Sequence, residues 1–326
     1  MSKHGDTGFA ILRLLAGAAA VALAGSGVAQ TFPTKPISFI VPYGPGTGND
    51  LIARVISQKL GDEMGRPMVV ENRPGATGAI GAELTAKAPP DGHTLLIAST
   101  SHITNAYVNK VNYDLLKDFS AVIRPARLAY VLAVPNASPV KSIKELVALA
   151  KASPGSINYG GVYASVSHFM GEVLKSAGQI DISLVSYKGT NDAAPDVIAN
   201  RIGLWFTTTA TGIPLGKAGK VRIIAVCSKE RLAVLPEVPT VVEAGFPALN
   251  IDINFFILAT AKSPSNAIAT LNQYIAKALA TQEVKEKLAL QSVEAMVSTP
   301  EETAALLKSD IAEWGRIIKQ SGVKMQ

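Results

Sequence analysis

Short apolar runs alternate with longer segments of helical period along most of this chain. Ile37 to Val41 reads as a strand. A helix is predicted from about Asn49 to Met64, where Leu51, Val55, Leu60 and Met64 recur at helical spacing until Gly65 and Pro67 stop it. Met68 to Val70 is a second strand that ends in ENRPGATGAIGAELTAKA, and Thr94 to Ala98 a third that ends in STSHIT. The alternation then repeats. Tyr130 to Val134 is a strand, and Ser142 to Lys151 a helix stopped by Pro154-Gly155. Ile157 to Tyr159 runs into GGVYASVSHFMGEVL, Leu184 to Tyr187 into KGTNDAAPDVIANR, and Leu204 to Phe206 into TTTATGIP. A stretch resembling a strand pair, Ile251 to Thr260, and helical segments close the chain. The last helix opens on Thr299-Pro300-Glu301-Glu302, a capping box with Pro at its first position.

Strand followed by helix, repeated, predicts βαβ units and an α/β fold with largely parallel sheets. The pattern divides into two lobes. The chain leaves the first near Leu128 to Val134 and returns near Asp252 to Leu258, which assigns 30–130 and 253–326 to lobe 1 and 131–252 to lobe 2. Ligands of open α/β sheets sit beyond the carboxyl ends of the strands. Two lobes facing each other would therefore gather six strand-end loops around one cleft.

Those loops carry the candidate chemistry. In IVPYGPGTGNDLIARV the glycines Gly44, Gly46 and Gly48 lie between a strand and a helix, where a backbone can approach an anion and helix N–H groups can stabilise it. The Lys-Ser/Thr of a phosphate loop is missing, and the glycine spacing is not that of a dinucleotide fingerprint. Asn49 or Asp50 is the expected helix cap. A tight turn with no ligand fits the same residues. In the loop Gly160 to His168, the hydroxyls of Ser165 and Ser167 and the backbone N–H groups can hold a carboxylate. Ser99, Ser101, His102 and Thr104 follow the third strand. Tyr187-Lys188-Gly189-Thr190 ends another, where Lys188 is either an anion partner or a solvated turn lysine. The hydroxyls of Thr207 to Thr209 are either ligand contacts or ordinary strand residues.

Composition narrows the function. Lys3, Arg13, the apolar run Leu14 to Ala24 and the small-x-small site Gly27-Val28-Ala29 read as a secretory leader cleaved near Ala29, so an exported protein starting at Gln30 is expected. The formal charge of +6 is scattered and aromatic residues are few, which excludes a nucleic-acid surface. Cys227 is the single cysteine, so no internal disulfide forms. No metal site or cofactor is expected, because the histidines lack a two-ligand helical spacing. A hydrolase built on Ser165 or Ser167 with His168 is disfavoured: no G-x-S-x-G elbow is present, and Asp192 is a poor partner for the imidazole.

Taken together, KPISFIVPYGPGTGNDLIARV, VVENRPGATGAIGAE, APPDGHTLLIAST, YGGVYASVSHFMGEVL, SYKGTNDAAPDVI, VPTVVEAGFP and TPEETAALLKSDIAEWGRIIKQSG resemble the extracytoplasmic solute receptors of the Bug (Bordetella uptake gene) type. These are the substrate-binding subunits of tripartite tricarboxylate transporters. The resemblance covers about Pro33 to Gly322. It implies a two-lobed, type II periplasmic binding protein of the Venus-flytrap kind, without enzymatic activity, that captures a small di- or tricarboxylic or aromatic acid and delivers it to membrane subunits, acting as a monomer. A periplasmic sensor that docks on a receptor kinase would use the same closed form.

Carried over by residue, the resemblance places ligand carboxylates at Tyr43, Gly44, Gly46, Thr47, Gly48, Asn49 and Asp50, and at Val162, Tyr163, Ala164, Ser165, Ser167 and His168. Three departures stand out. The usual triple glycine is Gly46-Thr47-Gly48, the Asn common in the second-strand loop is Ala79, and an Asp often found after the Phe equivalent to Phe206 is Thr207. The loss of that acid favours a carboxylate without an ammonium group over an amino acid.

Overall fold

The computed structural model describes residues 32–321, apart from residues 233, 291 and 292. The predicted leader lies outside the described residues. Two mixed sheets, flanked by helices, organise the chain.

The first sheet begins with β1 (Ile37–Val41), β2 (Met68–Asn72) and β3 (Thr94–Ser99). β1 pairs parallel with both neighbours, Phe39 standing against Val70 on one side and Leu95 on the other. Helix α1 (Gly48–Glu63) links β1 to β2 and buries Ile52, Ala53, Ile56 and Leu60 along one face. Helix α2 (Ala79–Ala86) links β2 to β3, and α3 (Thr100–Val108) follows β3. Strands β4 (Phe119–Ile123) and β5 (Ala126–Leu128) complete the outgoing chain.

The second sheet contains β6 (Tyr130–Pro135), β7 (Ile157–Gly161), β8 (Ile182–Ser186), β9 (Leu204–Thr208) and β10 (Val221–Cys227), in the order β10-β6-β9-β7-β8. Its helices are α4 (Ile143–Ala152), α5 (Val166–Gly178), α6 (Ala194–Ile198) and α7 (Thr209–Lys217). β7 pairs parallel with β8 and β9. Gly160 is required by close approach: a Cβ there would meet the Ala193 methyl at 2.8 Å.

The chain then returns to the first sheet as β11 (Ile253–Thr260), followed by α8 (Ser265–Ala280), α9 (Gln282–Ala289), β12 (Glu294–Ala295) and α10 (Pro300–Ser321). The predicted strand pair from Ile251 to Thr260 is thus one strand. All eight of its residues are buried, because it runs antiparallel to β3, β4 and β5 in the middle of the sheet. Between strands, parallel pairing joins β1 to β2 and β3, and β7 to β8 and β9, the strands that open into the candidate loops. Those strands are joined through helices, whereas β6 lies antiparallel to β9 and β10 beside the crossovers.

Candidate functional site

Topology decides which loops can meet. β1 and β3 are parallel neighbours, so their carboxyl ends, and the starts of α1 and α3, share one edge of the first sheet. β7 and β9 are parallel neighbours in the second, which puts the starts of α5 and α7 on one edge as well. A direct bond joins the two groups: the Thr104 hydroxyl of α3 donates to the Ala164 carbonyl at the head of α5, over 2.8 Å. Four helix N-termini, each with amide groups that have no acceptor inside the helix, are thereby associated through this junction.

The first loop is fixed by charge. Its helix cap is Thr47, not Asn49 or Asp50: the Thr47 hydroxyl accepts from the Asp50 amide at 3.5 Å and donates to Gly44 O at 2.9 Å. Asn49 turns inward and donates to Ile97 O at 2.8 Å. Asp50 is 4% exposed, and its carboxylate accepts from the Gly46 amide at 3.0 Å, from Arg54 at 3.0 Å and from Asn72 at 2.9 Å. Burial pushes this carboxyl up, yet Arg54, the Gly46 amide and Asn72 outweigh it and hold it below the usual carboxylate range. Because Arg54 balances Asp50, the loop can face an anion without a net negative charge of its own. Gly46 sits at φ 79°, which a glycine adopts without strain. A Cβ on Gly48 would come within 3.1 Å of the Phe255 ring.

Behind this loop the residues after β3 pack around Tyr43. The Tyr43 ring meets His102 edge-on at 5.5 Å, and its hydroxyl reaches Thr77 O at 3.3 Å. Burial raises Tyr43 to about 12 against the opposing hydrogen bonds from Ser99 and Ser101. His102 is fully buried, accepts from the Ser99 amide at Nδ1 over 3.1 Å, and is drawn down to about 4 by burial, so its ring is neutral at pH 7.

The second loop is fixed without charge. Ser167 accepts from the Val162 amide at 3.0 Å, Ser165 donates to Val162 O at 2.7 Å, and the two hydroxyls lie 2.9 Å apart. The Ala164 amide donates to His168 Nδ1 at 3.3 Å, and Tyr163 stacks on the same ring at 5.2 Å. Burial lowers the His168 pKa, while Glu172 pulls the other way. Ala164 is held at φ 61°, an uncommon conformation for a residue with a side chain. The serine hydroxyls are therefore engaged within the loop. A serine–histidine–aspartate relay is not assembled, because Asp192 accepts from the Gly189 amide at 2.8 Å and His168 Nδ1 is taken by Ala164.

Of the remaining candidates, Thr190 is fixed through its backbone: its carbonyl accepts from the Trp205 indole at 3.0 Å. Lys188 is exposed on the surface of this loop. Thr207 is 0% exposed, and its hydroxyl has no hydrogen-bond partner among the described residues. Tyr130 is a residue the sequence reading overlooked. It opens β6 and is buried, and burial raises it far above the ordinary phenol range, with Thr190 opposing and Tyr43 adding to the shift. In the run YVLAVP it reads only as a strand residue.

A cavity of about 510 Å³ lies beside the crossovers, lined among others by Arg127, Lys229, Arg231 and Asp252. No strand-end glycine loop borders it, and Arg127 is neutralised there by Glu294 at 2.6 Å and Asp252 at 3.5 Å. Among the described residues no cluster of His, Cys, Asp and Glu can hold a metal ion, and no helix is long and apolar enough to cross a membrane.

Two mixed α/β sheets with helix N-termini gathered at their facing loops define a solute-binding receptor of the periplasmic type. The chain belongs to the tripartite tricarboxylate transporter receptor family, whose model matches residues 52–323. It is similar to protein BugT of Bordetella pertussis, 30% identical over 302 residues that cover 91% of this chain and 93% of BugT. It is also similar to an R. palustris protein solved with adipate, at 30% identity and a TM-score of 0.86, covering 90% of this chain and 100% of that one. The malate-bound protein MatC of Rhodopseudomonas palustris superposes with a TM-score of 0.79 at 26% identity, covering 88% of this chain and 100% of MatC.

Proposed function

We propose that this receptor captures a small aliphatic dicarboxylate in the periplasm and delivers it, as a monomer, to the membrane subunits of a tripartite tricarboxylate-type transporter. Residues 30–130 with 253–326 form one lobe and 131–252 the other, with the cleft between them. The observation that carries this reading is the pairing of two loops of matched purpose: Tyr43–Asp50, whose internal charge is cancelled by Arg54, and Val162–His168, whose serine hydroxyls and His168 Nδ1 are engaged internally. Both leave backbone amides at a helix start for an anion. Ser101, His102, Gly189 and Thr190 shape the space between them, and the exposed Lys188 adds long-range attraction. The adipate and malate bound by two relatives support the ligand class.

Thr207 refines the choice. Its unpartnered hydroxyl suits a neutral or acceptor group of the ligand, and no acid stands there to neutralise an ammonium. Protein stripped by unfolding and refolding should gain melting temperature with adipate, malate or glutarate by mass action. Glutamate should do less than glutarate. No shift with any acid, or a larger shift with the amino acid, would contradict the respective part of the reading.

A further inference from the structure

The hydroxyl of Thr104 has one proton and two acceptors. One is Ser101 O, three residues back in its own helix, at 3.1 Å. The other is Ala164 O in the second loop, at 2.8 Å. Both Thr104 and Ala164 are fully buried, and they belong to segments that follow strands of different sheets. Ala164 is itself held in a left-handed conformation and donates its amide to His168. Helix α5 continues from this point to Phe169, whose ring meets Trp314 of α10 edge-on at 6.2 Å.

We propose that Thr104 is a positioning residue for ligand capture: its hydroxyl latches the Val162–His168 loop across the junction in the closed arrangement and falls back on Ser101 O when the halves separate. The fallback matters energetically. This hydroxyl keeps a protein acceptor, Ser101 O, in either state. Only the Ala164 carbonyl changes partner, from Thr104 to water. The latch therefore biases the hinge by about one neutral hydrogen bond, enough to tune release without preventing it. It also explains why a residue with a side chain is tolerated at φ 61° next to a ligand loop: the carbonyl and the amide of Ala164 are both pinned.

This inference rests on the carboxylate-receptor reading, and the test keeps the two apart. Thr104→Val removes the hydroxyl at nearly constant volume, and Thr104→Ser retains it. With adipate as probe in titration calorimetry and stopped flow, Thr104→Val should bind roughly fivefold more weakly, chiefly through faster dissociation, as expected for one neutral hydrogen bond. Thr104→Ser should stay within about twofold of the parent. X-ray scattering of the ligand-free proteins should show a larger radius of gyration for Thr104→Val. Equal affinity and equal scattering for the parent and Thr104→Val would overturn the latch, as would a serine variant as weak as the valine one. If the parent binds no carboxylate, the functional reading fails, while the ligand-free scattering still decides the latch. Should Thr104→Val not fold, Thr104→Ala is measured in the same way.

Discussion

The two candidate ligand loops solve one problem with different chemistry. Tyr43–Asp50 is braced by an ionised carboxylate that gathers a backbone amide, a guanidinium and an amide side chain. Val162–His168 is braced by two hydroxyls and a neutral imidazole. A charged brace is stiff but must be cancelled, which Arg54 does on the solvent side. A neutral brace needs no counter-charge and leaves the α5 N-terminus uncompensated for an incoming anion. On the proposed reading the first loop would serve as the platform and the second as the stronger attractor.

The largest expected effect comes from the charged brace. Asp50→Ala leaves Arg54, Asn72 and the Gly46 amide without their shared acceptor, and should lower unfolding stability by about 3 kcal/mol in urea titrations, with adipate affinity falling alongside. A change below about 1 kcal/mol would show that the loop is held by its backbone alone. Ser167→Ala tests the neutral brace. It should cost only about 1 kcal/mol of stability, while affinity falls more than stability does because the α5 start loses its alignment.

Acid should separate the two braces. Asp50 is depressed below its ordinary 3.8, so its stabilisation is complete above that value and is lost only as pH falls through the folded pKa. His168 is depressed below 6.5, so its neutral ring stabilises the fold fully above pH 6.5 and progressively less as pH falls towards its folded pKa. Imidazole resonances followed by NMR should therefore give a His168 midpoint below 6.5, and a midpoint above it would contradict the neutral brace. The smallest effect belongs to Lys188. As an exposed charge it can add only long-range attraction, so Lys188→Ala should slow adipate association about twofold at low salt and have no effect at 1 M salt.

The sequence made the strand-end loops legible because glycine punctuates apolar runs such as ISFIV and INYGG, and the parallel βα units follow from that rhythm. It hid other elements for physical reasons. β11 is buried on both faces, so INFFILAT shows no alternation to mark its length or its single-strand nature. β4 and β5 are short and interrupted by Arg124-Pro125, which reads as a turn. Residue types in the site were readable, but their partners were not. Asn49 and Asp50 are the expected caps, and only the fold sends Asn49 to Ile97 and gives the role to Thr47. Likewise Ser165 and Ser167 are good ligand donors by type, and only the fold shows their mutual 2.9 Å contact, which engages both hydroxyls within the loop.

A crystal structure of the processed protein with adipate would test the central claim most directly. The account predicts carboxylate oxygens within hydrogen-bonding distance of backbone amides in the Tyr43–Asp50 and Val162–His168 segments, directly or through one water, with Thr104 bonded to Ala164. Adipate held instead by the arginines of the crossover cavity, with both loops empty, would contradict it.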